Sequence, residues 1–168
     1  MKHRTHTPKY QKGSMMIEAL VAILIFSLGI LAMMGLQAAS IKLSGDAKYR
    51  SDASLLANEL TGQMWVSDRT PATLITNFQG GAGTNGTAYT AWVNDVASAL
   101  PGVTGVAANQ PVVTITQVPP TAPATSISDQ VTIKIFWKSP TESGSTGTLC
   151  GVNNPSAAHC YIAMAQII

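Results

Sequence analysis

The sequence predicts an α+β protein in which a long N-terminal membrane-spanning helix packs on a small antiparallel β-sheet. Three observations carry that expectation. Residues 19–41 hold 23 consecutive uncharged positions, more than the roughly 20 that cross a bilayer. Tyr49, Ala53, Leu56, Leu60 and Met64 then recur every three or four residues, so the helix continues past the apolar run as one amphipathic rod. Beyond residue 110 the period falls to two, most clearly where Val131, Ile133, Ile135 and Trp137 alternate with Thr132, Lys134, Phe136 and Lys138.

The N-terminus is the most informative part. Lys2, Arg4, Lys9 and Lys12 precede Gly13, and the apolar pattern begins directly after it. An ordinary secretory signal places its apolar stretch before the cleavage site and loses it. A cut after Gly13 would instead leave the stretch on the mature chain, and the basic leader would stay on the cytoplasmic side with the C-terminal part outside. Glu18 is the one acid in this region. A carboxylate near the middle of a spanning helix costs about 2.5–3.5 kcal/mol on insertion scales, less near the interface, and usually has a partner. The new amine on Ser14 of a neighbouring chain is the candidate cation, which makes Glu18 an assembly device.

The run Gly13, Ser14, Met15, Met16, Ile17, Glu18 followed by Ala19, Leu20, Val21, Ala22, Ile23, Leu24 and Ile25 resembles the prepilin signature, a glycine and then an apolar segment with glutamate at its fifth position. The continuation Phe26, Ser27, Leu28, Gly29, Ile30, Leu31, Ala32 and Gly35, Leu36, Gln37, Ala38 is similar to the PilV family of minor pilins, the type IV pilus modification proteins. The resemblance covers about residues 9–66. Beyond that it rests on Trp92, the Leu100, Pro101, Gly102 turn, two β patterns and a short cysteine pair.

The resemblance implies a pilin-like fold in three parts: a leader peptide over residues 1–13, a transmembrane and fibre-core half-helix over 14–41, and a periplasmic head over 42–168 that includes the amphipathic half of the helix. It implies cleavage between Gly13 and Ser14 by prepilin peptidase, residence in the inner membrane and then in the pilus, and association with other minor pilins and the major pilin. A tip adhesin is a further candidate partner, and the implied role is to prime assembly and form the tip complex, supporting adhesion and twitching motility. A minor pseudopilin of a type II secretion system is the alternative, since its signature overlaps. Ser14 stands where prepilins usually carry phenylalanine, a departure that bears on N-methylation. Gly35 stands where many major pilins carry a helix-breaking proline. Glycine costs a helix about 1 kcal/mol against about 3 for proline, so a straighter helix and a minor subunit are expected.

Charge narrows the function classes. Four of the ten bases lie in the leader, so six face eight acids and the remainder of the chain carries −2. No basic footprint for nucleic acid is present. Cys150 and Cys160 lie ten positions apart, and in an exported head such a pair is normally a disulfide, worth somewhat under about 3 kcal/mol for so short a loop. A metal site of Cys150, His159 and Cys160 is the competing reading, disfavoured because a fourth ligand is not evident. No metal or cofactor is expected.

Between the long helix and the strands, Asp68, Arg69, Thr70 and Pro71 end the helix. Residues 70–110 read as loop, with 80–86 its most flexible stretch and one short helix over 91–100 that presents Trp92, Val93, Val96 and Leu100. The glycine-rich run lacks the lysine and following helix of a phosphate loop. Three strands are expected around 113–116, 131–138 and 160–168. The aliphatic face of the middle strand should pack on the 49–64 stripe, and its lysine face should meet solvent or a neighbouring subunit. Asp95 and Asp129 read as isolated, solvated acids, and no nucleophile elbow or catalytic cluster emerges. An enzyme is therefore not expected. A secreted protein cut near Ala38, Ala39 and Ser40 is disfavoured, because its apolar region would exceed the usual 7–15 residues and contain an acid.

Overall fold

The structure is a computed structural model that describes residues 14–81, 83–103, 109–119, 128–140 and 159–168. Its chain divides into two units, Met1–Ser44 and Gly45–Ile168. Helix α1, Ser14–Val66, contributes to both.

In the first unit every described side chain, from Met15 to Ser44, is exposed. The helix forms there because Leu, Met and Ala are strong helix formers and no proline interrupts them. Neither Gly29 nor Gly35 has a neighbouring group within 4 Å, so each stands in the helix without a packing contact. The hydroxyl of Ser27 donates to the carbonyl of Ile23 at 2.7 Å, which satisfies it inside its own helix.

The second unit begins with the amphipathic half of α1 and continues through α2, Pro71–Phe78, and α3, Thr87–Ala99, to three strands: β1, Val112–Val118; β2, Ser128–Trp137; and β3, His159–Ile167. The sheet is antiparallel throughout, in the order β1-β2-β3. Val113 and Ile115 of β1, Val131, Ile133, Ile135 and Trp137 of β2, and Ile167 of β3 enter one core with Ala53, Leu56, Ala57, Leu60 and Met64 of α1. Tyr49, part-buried, packs against the same core. The helical stripe and the aliphatic strand face therefore meet as their periodicities require.

Residues 71–78, expected as loop, are helical. Pro71 occupies the first turn, where its missing N–H costs nothing, and Leu74 and Phe78, four apart, bury one face. Pro71, five residues beyond the last residue of α1, starts α2. Helix α3 begins at Thr87, four residues before the expected start, with Gly86 as its cap residue. Its end agrees with expectation: Leu100 N–H bonds to Val96 at 2.9 Å, and Gly102 follows at φ 76°.

The glycine-rich connection is a tight joint, contrary to the expected flexible stretch; Ala82 alone of it lies outside the described residues. Gly80 bridges Val113 of β1, Gly81 N–H bonds the Asn85 side chain at 2.9 Å, and Gly86 N–H bonds Gln79 at 3.0 Å. Gly81 has φ 86°, and a β-carbon there would overlap the Pro111 carbonyl oxygen. A β-carbon on Gly80 would overlap the Tyr89 ring. That ring's hydroxyl donates to the Pro111 carbonyl at 2.5 Å, and burial pushes the phenol up to about 12, so it remains a donor.

Two further expectations are corrected on β2. Phe136, expected on an open lysine face, is 3 % exposed; it stands opposite Cys160 across the β2-β3 ladder. Asp129, expected as a solvated acid in a loop or on a helix, lies on β2 between Gln117 and Ile167, 2 % exposed. One of its carboxylate oxygens is buried with no hydrogen-bond partner among the described residues, and burial raises its carboxyl above the ordinary 3.8. As pH climbs from 3.8, the unfolded chain loses this proton before the folded one does, so stability falls as pH passes through the raised value. Asp129→Asn should therefore gain stability relative to the parent, and the gain should grow with rising pH. Urea midpoints of both proteins across a pH series check this, and parallel profiles would contradict it.

Candidate functional site

The exposed half of α1 is the feature that soluble packing does not explain. Met15, Met16, Ile17, Leu20, Ile23, Leu24, Ile25, Phe26, Leu28 and Leu31 are each at least 60 % exposed, and the surface they form runs around the whole helix rather than along one face. Isolated exposed apolar residues are ordinary, but a contiguous apolar surface of this size marks a membrane or protein contact. The helix is long and apolar enough to cross a bilayer, which is compatible with a membrane anchor.

Glu18 sits in the second turn, exposed among these residues. No cation pairs with it among the described residues. The nearest described base along the helix is Lys42, about 36 Å away at 1.5 Å per residue, beyond the reach of any side chain. The field at the beginning of a helix favours an anion there by a few tenths of a kcal/mol to about 1 kcal/mol, which offsets only part of the cost of placing a carboxylate in hydrocarbon. What the arrangement can do chemically is accept a cation supplied by another group at the same depth. Ser14 is the first residue of α1, four positions before the acid. Gly13 lies outside the described residues.

The second candidate cluster lies in the head. Cys160 is on β3 and is disulfide-bonded; Cys150 lies outside the described residues. Next to Cys160, the His159 ring stacks on Trp137 with centroids 5.7 Å apart and planes at 18°. Its Nε2 stands 3.8 Å from Asp46 Oδ1 on α1, an ion-pair distance too long for a hydrogen bond. Among the described residues no group of three or more His, Cys, Asp or Glu side chains is placed to hold a metal ion. The Asp46 and His159 approach joins positions 113 residues apart, so no local pattern could have revealed it. Asp95 lies exposed on α3, as expected.

Glu18 thus belongs to the exposed helix of the first unit and Cys160 to the sheet of the second. Comparison with protein-family models, with curated proteins and with solved structures finds no match to this chain.

Proposed function

We propose that this chain is a minor pilin of a type IV pilus, made as an inner-membrane precursor and cut between Gly13 and Ser14 by prepilin peptidase. The observation that carries the proposal is a lone acid, Glu18, with no cation paired to it among the described residues, in an apolar helix whose described residues are exposed all round and whose sequence is preceded by a basic segment ending in glycine. The apolar half of α1 holds the subunit in the bilayer and afterwards in the fibre core. Glu18 pairs with the Ser14 amine of a neighbouring subunit and sets the register of packing. The head presents a partner-specific surface to other minor pilins and to the major pilin, in the manner of the PilV family that about residues 9–66 resemble, and so primes assembly and contributes to the tip complex that supports adhesion and twitching motility.

Intact mass tests the reading. Protein recovered from membranes and from sheared fibres should have a mass that begins at Ser14, and the same measurement reports methylation of Ser14 and the state of Cys150 and Cys160. Recovery in a secretion pseudopilus would instead assign the chain to the minor pseudopilins of a type II system. A soluble periplasmic form beginning near Ile41, absent from fibres, would overturn both.

A further inference from the structure

Asn85 is followed by Gly86, the one Asn-Gly pair in the sequence. Such a pair is chemically labile. The main-chain nitrogen of the second residue can give up its proton and attack the side-chain carbonyl carbon of the asparagine, and glycine, with no side chain, hinders that approach least. A bond forms from this nitrogen to Cγ, the bond from Cγ to the side-chain amide nitrogen breaks, and ammonia leaves. Water then opens the cyclic imide at one of its two carbonyls. One opening gives aspartate; the other gives isoaspartate, in which the main chain runs through the former side-chain carbon.

The fold calls for both members of the pair. A β-carbon on Gly86 would overlap the Asn77 carbonyl oxygen, so no side chain that would slow the reaction fits there. Asn85 Oδ1 accepts the Gly81 N–H at 2.9 Å, and Gly81 is the residue held at φ 86° against the Pro111 carbonyl. The asparagine is thus an anchor of the turn. Asn85 itself is exposed and open to water, whereas Gly86 is buried. Its N–H donates to the Gln79 carbonyl at 3.0 Å, and its own carbonyl accepts from the Thr90 N–H at 3.0 Å and the Thr90 hydroxyl at 2.8 Å. The attacking nitrogen is bound to the end of α2, and the carboxamide it would attack is bound to Gly81. Each reacting group is engaged elsewhere.

We propose that Asn85 and Gly86 form a latent deamidation site that the joint between α2 and α3 keeps closed, so that the imide forms only from states in which the bond from Gly86 to Gln79 is broken. Connections open locally at less cost than a core does, and this local opening sets the rate. The products differ in consequence. Aspartate keeps an oxygen that can accept from Gly81. Isoaspartate places one more carbon in the main chain ahead of Gly86, whose contact with Asn77 leaves no slack to absorb it. That product cannot restore the bond to Gln79, and it loosens the start of α3, the helix that Trp92 ties to Leu56. This inference goes beyond the pilin reading and does not depend on it.

The experiment uses the full chain in detergent, aged at neutral and mildly alkaline pH beside a synthetic peptide of residues 80–90 in the same buffer. Peptide mapping by mass spectrometry, with aspartate and isoaspartate resolved, gives the rate at Asn85. It should be at least about tenfold slower in the protein than in the peptide, because only the open fraction reacts. Amide hydrogen exchange at Gly86 supplies an independent reading, since the same N–H must be released for both events, and its protection should match the slowing of deamidation within a few-fold. Gly81→Ala, which strains the turn, should raise both rates together by several-fold in a chain that still folds; should it not fold, the parent comparison decides alone. Equal rates in protein and peptide, slow deamidation beside an unprotected Gly86 amide, or a folded Gly81→Ala chain that ages no faster than the parent would each overturn the proposal.

Discussion

Under the proposed pilin function, Glu18→Ala should leave the protein in the membrane, inserted as well as the parent or better, and remove it from sheared fibres. Taking a carboxylate out of hydrocarbon relieves up to about 2.5–3.5 kcal/mol of insertion cost, so the anchor itself gains. The loss falls on assembly. Under the proposed pairing, the Ser14 ammonium of the neighbour would be left in the fibre core without its counter-charge, and breaking one side of a buried pair costs about 3–5 kcal/mol. That is a hundredfold or more in the occupancy of the assembled state. Immunoblots of membrane and sheared fractions measure the ratio directly. Glu18→Gln, which keeps the shape and drops the charge, should fail in the same way, and normal incorporation of either variant would end the pairing account.

The largest effect on the head should come from Trp92→Ala. Trp92 is 1 % exposed, its ring lies 6.1 Å from that of Tyr89, and its indole N–H donates to the Leu56 carbonyl of α1 at 2.9 Å. It therefore ties α3 to the helix that backs the sheet by both packing and a buried hydrogen bond. Truncating a buried tryptophan to alanine costs about 3–5 kcal/mol, set against a total of about 5–15 kcal/mol for a typical domain. The thermal midpoint should fall by roughly 10–20 °C. Trp92→Phe should recover most of the loss, short of the hydrogen bond. A midpoint within a few degrees of the parent for Trp92→Ala would mean that α3 is not part of the cooperative core.

These two residues stand on opposite sides of what a linear chain displays. The setting of Glu18 was legible because it is local: an acid four places into an apolar run, after a glycine and a basic N-terminal segment. Trp92 was legible as a buried residue of a short helix, but its bond to Leu56, 36 positions away, was not. The same division runs through the fold. Helix α1 and the alternation of β2 repeat a short period often enough to be read. Helix α2 is eight residues long and buries only Leu74 and Phe78, too few turns for a period, and Pro71 reads equally as an ending and a beginning. The glycines at 80, 81 and 86 suggest looseness by composition, whereas each meets another segment at close quarters: Tyr89, Pro111 and Asn77 respectively. Asp129 looked solvated because nothing near it in sequence shows that Gln117 and Ile167 flank it in the sheet.

By itself, then, the sequence determined the long apolar helix, the single acid within it, where that helix stops, and the strand face that packs against its second half. Those features depend on residues two, three or four positions apart, which the chain carries in its own order. Strand order, the bridge from Gly80 to Val113 and the buried Asp129 were decided only by tertiary structure. Each depends on backbone groups brought together from tens of residues apart, and hydrogen-bond partners at that separation leave no periodic mark on the chain that supplies them.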